Sequence, residues 1–102
     1  EASRALLHNA AKGAGSSFPN MEAAAKAKVL ASETAIKVTN DALQIHGSMG
    51  YSRSLDLERH VRDARMFTIA GGTAQILRTQ IASKILGIRI PQRRDGYLRH
   101  NS

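Results

Sequence analysis

The stretch NMEAAAKAKVLASETAIKVTNDALQIH, residues 20–46, decides the fold. Within it Ala24, Lys28, Ala31, Ala35, Val38, Ala42 and Ile45 recur at spacings of four and three, the period that lines up residues along one side of an α-helix. Val29, Ile36 and Leu43 repeat every seven residues on a neighbouring face. A helix with two apolar faces must be flanked on both, which places it at the centre of a bundle. Alanines along the first stripe let another backbone come close. Gly47 ends the run.

Shorter helical patterns lie on either side. Upstream, Ala2, Ala5, Leu6, Leu7 and Ala10 give an apolar side to a helix over roughly Ala2 to Lys12, stopped by Gly13 and Gly15. Ser16 to Asn20, with Pro19, reads as a turn. Downstream, Gly47 to Ser54 reads as a glycine-bearing loop. A third helix is expected from about Leu55, with Leu57, Val61, Ala64 and Phe67 on one side and Asp56 and Glu58 in its first turn, where negative charge suits the dipole. Glu58–Arg62 and Arg59–Asp63 are spaced to pair along its surface. Gly71-Gly72 breaks the chain, Thr73 is a fitting N-cap, and Leu77, Ile81 and Ile85 mark a fourth helix ending at Gly87.

The fold class expected is therefore all-α, an up-and-down bundle of four helices with short connections. Residues 1–87 would form the bundle and 88–102 a basic tail with Arg89, Arg93, Arg94 and Arg99. The chain opens in mid-helix without a cap, and the central helix calls for more neighbours than are present. It reads as part of an incomplete domain.

Composition narrows the function. With two Tyr, two Phe and no Trp, the core must be aliphatic. No apolar run approaches the ~20 residues of a membrane span. The first residues lack the layout of a secretory signal, so a cytoplasmic protein is expected. There is no Cys, hence neither disulfide nor thiolate chemistry. The net charge of +7 could serve nucleic acid, a membrane surface or an anionic small molecule. Its positive residues are mostly dispersed, and no stacking aromatics or nucleic-acid motif accompany them. Binding of nucleic acid or membrane is not expected.

No stand-alone catalytic constellation is visible. His8, His46, His60 and His100 have no metal-binding spacing, and the carboxylates fall mostly on polar helix faces. What remains is two glycine-bearing segments, Gln44 to Tyr51 after one helix and Ala70 to Gln75 before another. Glycine permits close backbone approach, and a helix amino terminus offers free N–H groups to phosphate.

Taken in order, these pieces resemble the acyl-CoA dehydrogenase family. Ala31-Ser-Glu-Thr-Ala35 and Asp41-Ala-Leu-Gln-Ile-His-Gly-Ser-Met-Gly-Tyr51 are similar to its alanine-rich helix ending in Q-I-x-G-G-x-G-Y/F. Glu58-Arg-His-Val-Arg-Asp-Ala-Arg65 resembles its E-R-x-x-R-D-A-R helix, and Gly72-Thr-Ala-Gln-Ile-Leu-Arg78 its G-T-x-E/Q-I-x-R segment. The likeness runs from about Ala2 to Gly87.

The resemblance implies an FAD enzyme that oxidises an acyl-CoA thioester to the 2,3-enoyl-CoA and passes electrons to electron-transfer flavoprotein or a similar acceptor. It also implies a homo-oligomer, a tetramer in the full-length form, packed through this last domain. Gln44 and the turn Ile45, His46, Gly47, Ser48 would contact the ADP part of an FAD held mainly by a neighbouring subunit. Thr73 and Gln75 would contact FAD at the start of the last helix, and Gly72 would lie close to the thioester.

Two departures stand out. Ser48 replaces the second glycine of the usual pair, and Gly71 stands where many members carry the catalytic glutamate. Glycine cannot remove an α proton. The resemblance then implies a base on an earlier helix of this domain, preceding Glu1, or a subunit that has lost catalysis; relocation is the preferred reading. No residue of this chain is assigned as catalytic, and the isolated chain should be inactive. The alternatives are a non-catalytic helical assembly subunit and a basic helical nucleic-acid-binding protein.

Overall fold

The computed structural model describes residues 1–92; Arg93, Arg94, Arg99 and His100 of the expected tail lie outside the described residues. The described chain is all-α, with five helices: α1 (Ala2–Lys12), α2 (Met21–His46), α3 (Ser48–Tyr51), α4 (Leu57–Met66) and α5 (Ala74–Leu86). The boundaries expected for α1, α2 and α5 hold because their stop signals are local. Asn20 caps α2 by accepting from the N–H groups of Glu22 and Ala23, at 2.9 and 3.2 Å. Gly87 closes α5 in the left-handed conformation, φ 65°.

The sequence reading needs three corrections. The segment after Gly47 is not all loop, since Ser48–Tyr51 forms the one-turn helix α3. The helix expected from Leu55 starts at Leu57. Arg59 pairs with Asp56 at 3.4 Å instead of with Asp63, whereas Arg62 does pair with Glu58 at 2.9 Å.

α2 is the spine, and each other helix packs on it. α1 lies along its first half. α4 touches α3, and just beyond its end Phe67 reaches Lys28, Ala31 and Ala35, so it runs back along α2. α5 begins beside Glu33 and Ile36 and ends with Ser83 and Lys84 beside Met21 and Glu22, so it also runs back. α4 and α5 therefore follow one another along the spine and do not pack side by side.

The core this produces is thin. Ala25, Val29 and Leu77 form its centre, with Ile81 packed against it. α2 is buried on two sides, Ala25, Val29 and Ser32 sharing one face and Ala27 lying on the opposite one, while in the first expected stripe Ala31, Val38 and Ile45 are exposed. The radius of gyration is 17.6 Å, against about 13 Å for a compact domain of about 100 residues. No described helix is long and apolar enough to cross a membrane.

Candidate functional site

The first glycine-bearing segment is an elbow. α2 ends at His46, and Gly47 turns the chain with φ 58° and ψ −137°, a conformation that side chains with a Cβ resist. Its carbonyl accepts from the N–H groups of Gly50 and Tyr51 at 3.0 and 3.2 Å, which winds α3. Gly50 is buried against α2: a Cβ there would stand 2.7 Å from the Leu43 carbonyl oxygen and 2.9 Å from the His46 Cβ. The fold thus needs glycine at 47 for its backbone angles and at 50 for space. Gln44, Ile45, His46, Gly47 and Ser48 are all exposed. Nδ1 of His46 donates to the Ala42 carbonyl at 2.9 Å, which aims the ring back along the helix.

The second segment is the head of α5. Thr73 is its N-cap, with Oγ1 accepting from the Ile76 N–H at 3.2 Å. The Ala74 N–H donates to the Thr68 carbonyl at 3.0 Å, and the Thr68 hydroxyl bonds Arg65 through both its carbonyl and its guanidinium. Gly71 and Gly72 both adopt positive φ, 70° and 93°. Among the described residues, the N–H groups of Thr73 and Gln75 donate to no other group.

Lys28 joins this head to the spine. Its Nζ donates to the Gly72 carbonyl at 2.8 Å, across a separation of 44 residues. Beside it, Glu33, Arg65, Thr68, Thr73, Gln75 and Arg78 line an open cleft of about 280 Å³. Arg78 and Glu33 pair across it at 2.5 Å. Two arginines and the positive end of a helix outweigh one carboxylate, so the cleft suits an anionic group.

The structure does not merge the two segments. The cleft meets α2 at Glu33 and Ile36. Gln44 lies eight residues beyond Ile36, roughly 12 Å along the axis. The expected cofactor contacts therefore form two stations, the elbow and the head. Gly71, the position without a carboxylate, sits at the head near Lys28: a Cβ there would meet Lys28 Cε at 4.0 Å. Sequence reasoning missed Lys28 and the burial of Gly50. A lysine inside the apolar stripe of α2 was the available signal for the first; the second had none. No cluster of metal-ligating side chains exists among the described residues.

A spine helix thus carries a glycine elbow at one station and packs against a capped, glycine-led helix at the other. The chain belongs to the acyl-CoA dehydrogenase family: residues 1–86 match its model, "Acyl-CoA dehydrogenase, C-terminal domain". It is 66% identical over 99 residues to a 3-sulfinopropanoyl-CoA desulfinase of Advenella mimigardefordensis, a match covering 97% of this chain and 24% of the relative. It is 42% identical to the mitochondrial short-chain specific acyl-CoA dehydrogenase of Homo sapiens, over 84% of this chain and 21% of that one. Among solved structures it resembles a chain from "Electron transferring flavoprotein of Acidaminococcus fermentans: Towards a mechanism of flavin-based electron bifurcation". There the TM-score is 0.78 and the identity 40%, over 83% of this chain and 22% of that one. The chain thus spans about a quarter of the length of the relatives it matches.

Proposed function

We propose that this chain works as the carboxy-terminal domain of a longer, cytoplasmic FAD enzyme that acts on a CoA thioester and assembles as a homo-oligomer, a tetramer in its full-length form. Residues 1–87 are the helical domain in this reading and 88–102 a basic extension. The exposed elbow Gln44 to Ser48 suits the ADP part of an FAD held mainly by another subunit. Its glycine keeps the turn low, and Gln44 offers both a donor and an acceptor. Thr73 and Gln75 suit a second flavin contact, since their N–H groups are free at the positive end of α5. Gly72 lies beside the thioester in the same scheme.

The reaction proposed is desulfination of a 3-sulfinopropanoyl thioester. The carrying observation is Gly71, which leaves no carboxylate at the head of α5. Desulfination breaks the C–S bond, and a proton replaces sulfur on carbon. With one water the sulfur leaves as sulfite, the other product being the propanoyl thioester. No α proton is lost in net terms and no electron acceptor is consumed, so glycine at this position is no handicap. The high identity to desulfinases supports the same reading.

A second reading, oxidation to the 2,3-enoyl-CoA with electrons passed to a flavoprotein acceptor, is favoured by the 42% identity to a dehydrogenase. When bound, FAD would accept the hydride. The base would then have to come from outside this chain. Incubating the longer protein with 3-sulfinopropanoyl-CoA, and separately with saturated acyl-CoA plus an artificial acceptor, decides between them. Sulfite release without an acceptor is expected. Enoyl-CoA formation without sulfite release would establish the second reading.

A further inference from the structure

Lys28 is an unusual member of the α2 stripe. Its stem lines the apolar grooves formed with Ala24, Ala27, Ala31 and Ala35, while its ammonium leaves that surface to meet a backbone carbonyl. The carbonyl belongs to Gly72, whose φ of 93° has little intrinsic preference behind it. Two consecutive glycines are the least constrained link in the chain, so something must choose their conformation. The Gly72 carbonyl takes a charge-assisted bond at 2.8 Å, the stronger class of hydrogen bond. Peptide bonds here are trans, so the C=O and N–H of one peptide point in opposite directions. Turning the Gly72 oxygen toward α2 therefore turns the Thr73 N–H away from it, and that N–H is one of the two free donors at the head of α5.

We propose that Lys28 is a positioning residue for ligand binding: its ammonium fixes the Gly72–Thr73 peptide so that the Thr73 N–H faces the CoA thioester and flavin. This rests on the function proposed above. The charge on the carbonyl side also polarises the peptide and strengthens the opposite N–H as a donor. Lys28 acts through the turn and does not touch the ligand.

The test uses the longer protein as Lys28→Met, Lys28→Gln and Lys28→Arg. Met keeps the stem without the donor, Gln gives an uncharged and shorter donor, and Arg keeps charge and donor. Exchange of the Ala74 amide, which donates to the Thr68 carbonyl across the turn, reads the turn directly, and propanoyl-CoA titration followed by flavin absorbance reads the ligand. Met and Gln should speed exchange and weaken propanoyl-CoA binding by about tenfold each, the scale of one lost charged hydrogen bond, with Arg restoring most of both. Having two uncharged variants means that one failing to fold leaves the other to decide. Unchanged exchange in both overturns the pinning. Faster exchange with unchanged affinity overturns the positioning role alone. A wild-type protein with no flavin or thioester affinity overturns the functional reading, and the role with it.

Discussion

Gly50 and Leu43 are in backbone contact: a Cβ on Gly50 would sit 2.7 Å from the Leu43 carbonyl oxygen, closer than real Cβ atoms come. That carbonyl is part of α2 and cannot step aside, so the last turn of the spine and α3 are locked together through the absence of one methyl group. Gly50→Ala must push α3 off α2, at a cost of about 1–3 kcal/mol. Chemical denaturation should show that loss. In the longer protein FAD affinity should fall too, because Gln44 to Ser48 lie between the two surfaces forced apart.

Gly71→Glu gives a second test, since a Cβ at that site meets only Lys28 Cε, at 4.0 Å. Space is therefore available, and the cost is the left-handed backbone at φ 70°, about 1–2 kcal/mol. The longer protein carrying this substitution should fold, melt somewhat lower, and gain or retain measurable acyl-CoA oxidation. Gly71→Ala carries the same strain without the carboxylate, so it should melt as low and show no gain. Equal oxidation by both variants would remove the carboxylate from the explanation.

The Glu58–Arg62 pair predicts a pH effect of definite sign. The hydrogen bond from Arg62 is the main cause holding the Glu58 carboxyl below its ordinary range, with the positive fields of Arg62, Arg53 and Arg59 adding to it. A depressed folded-state pKa means stabilisation that is complete above the ordinary carboxylate range and lost as pH falls through the lowered value. The difference in Tm between the wild type and Glu58→Gln should shrink on acidification. Both partners lie at the surface, so the difference should be small and fade with salt. A difference that grows at low pH would contradict the assignment.

The isolated chain should self-associate. Phe67 is 52% exposed and Ile45 83% exposed, and the grooves along Ala24, Ala31 and Ala35 are open. Apolar surface on that scale usually becomes interface. Ala35→Arg should disturb the association, because it sets a long charged side chain where close approach is expected. Sedimentation over a concentration series reads this directly; a strictly monomeric, well-folded species at high concentration would refute it.

The net charge of +7 should produce only weak nucleic-acid binding that does not depend on sequence and disappears near physiological salt. Tight, selective binding to one DNA or RNA sequence would put the nucleic-acid-binding alternative first.

The sequence by itself determined the helices whose ends are written within three or four residues of where they occur. Asn20 caps α2 by reaching two and three positions ahead, Thr73 caps α5 by reaching three ahead, and Gly47 and Gly87 stop helices through their own backbone angles. It also carried the family, whose motifs are read in order along the chain. It misjudged the loop after Gly47, because one turn of helix is too short to show a period. Arg59 could reach Asp56 or Asp63 by spacing, and the structure pairs it with Asp56.

What only the tertiary structure decided is which faces of the spine are buried and what crosses between distant segments. Periodicity marked two apolar stripes on α2, but burial of Ala25, Ala27, Val29 and Ser32 depends on where α1, α4 and α5 lie against it. The Lys28–Gly72 bond joins residues 44 positions apart, and the Gly50 contact depends on the angle at which α3 folds back. Local hydrogen bonds and backbone angles are fixed by neighbours in sequence. Contacts between helices depend on how their surfaces fit, and no single segment carries that information.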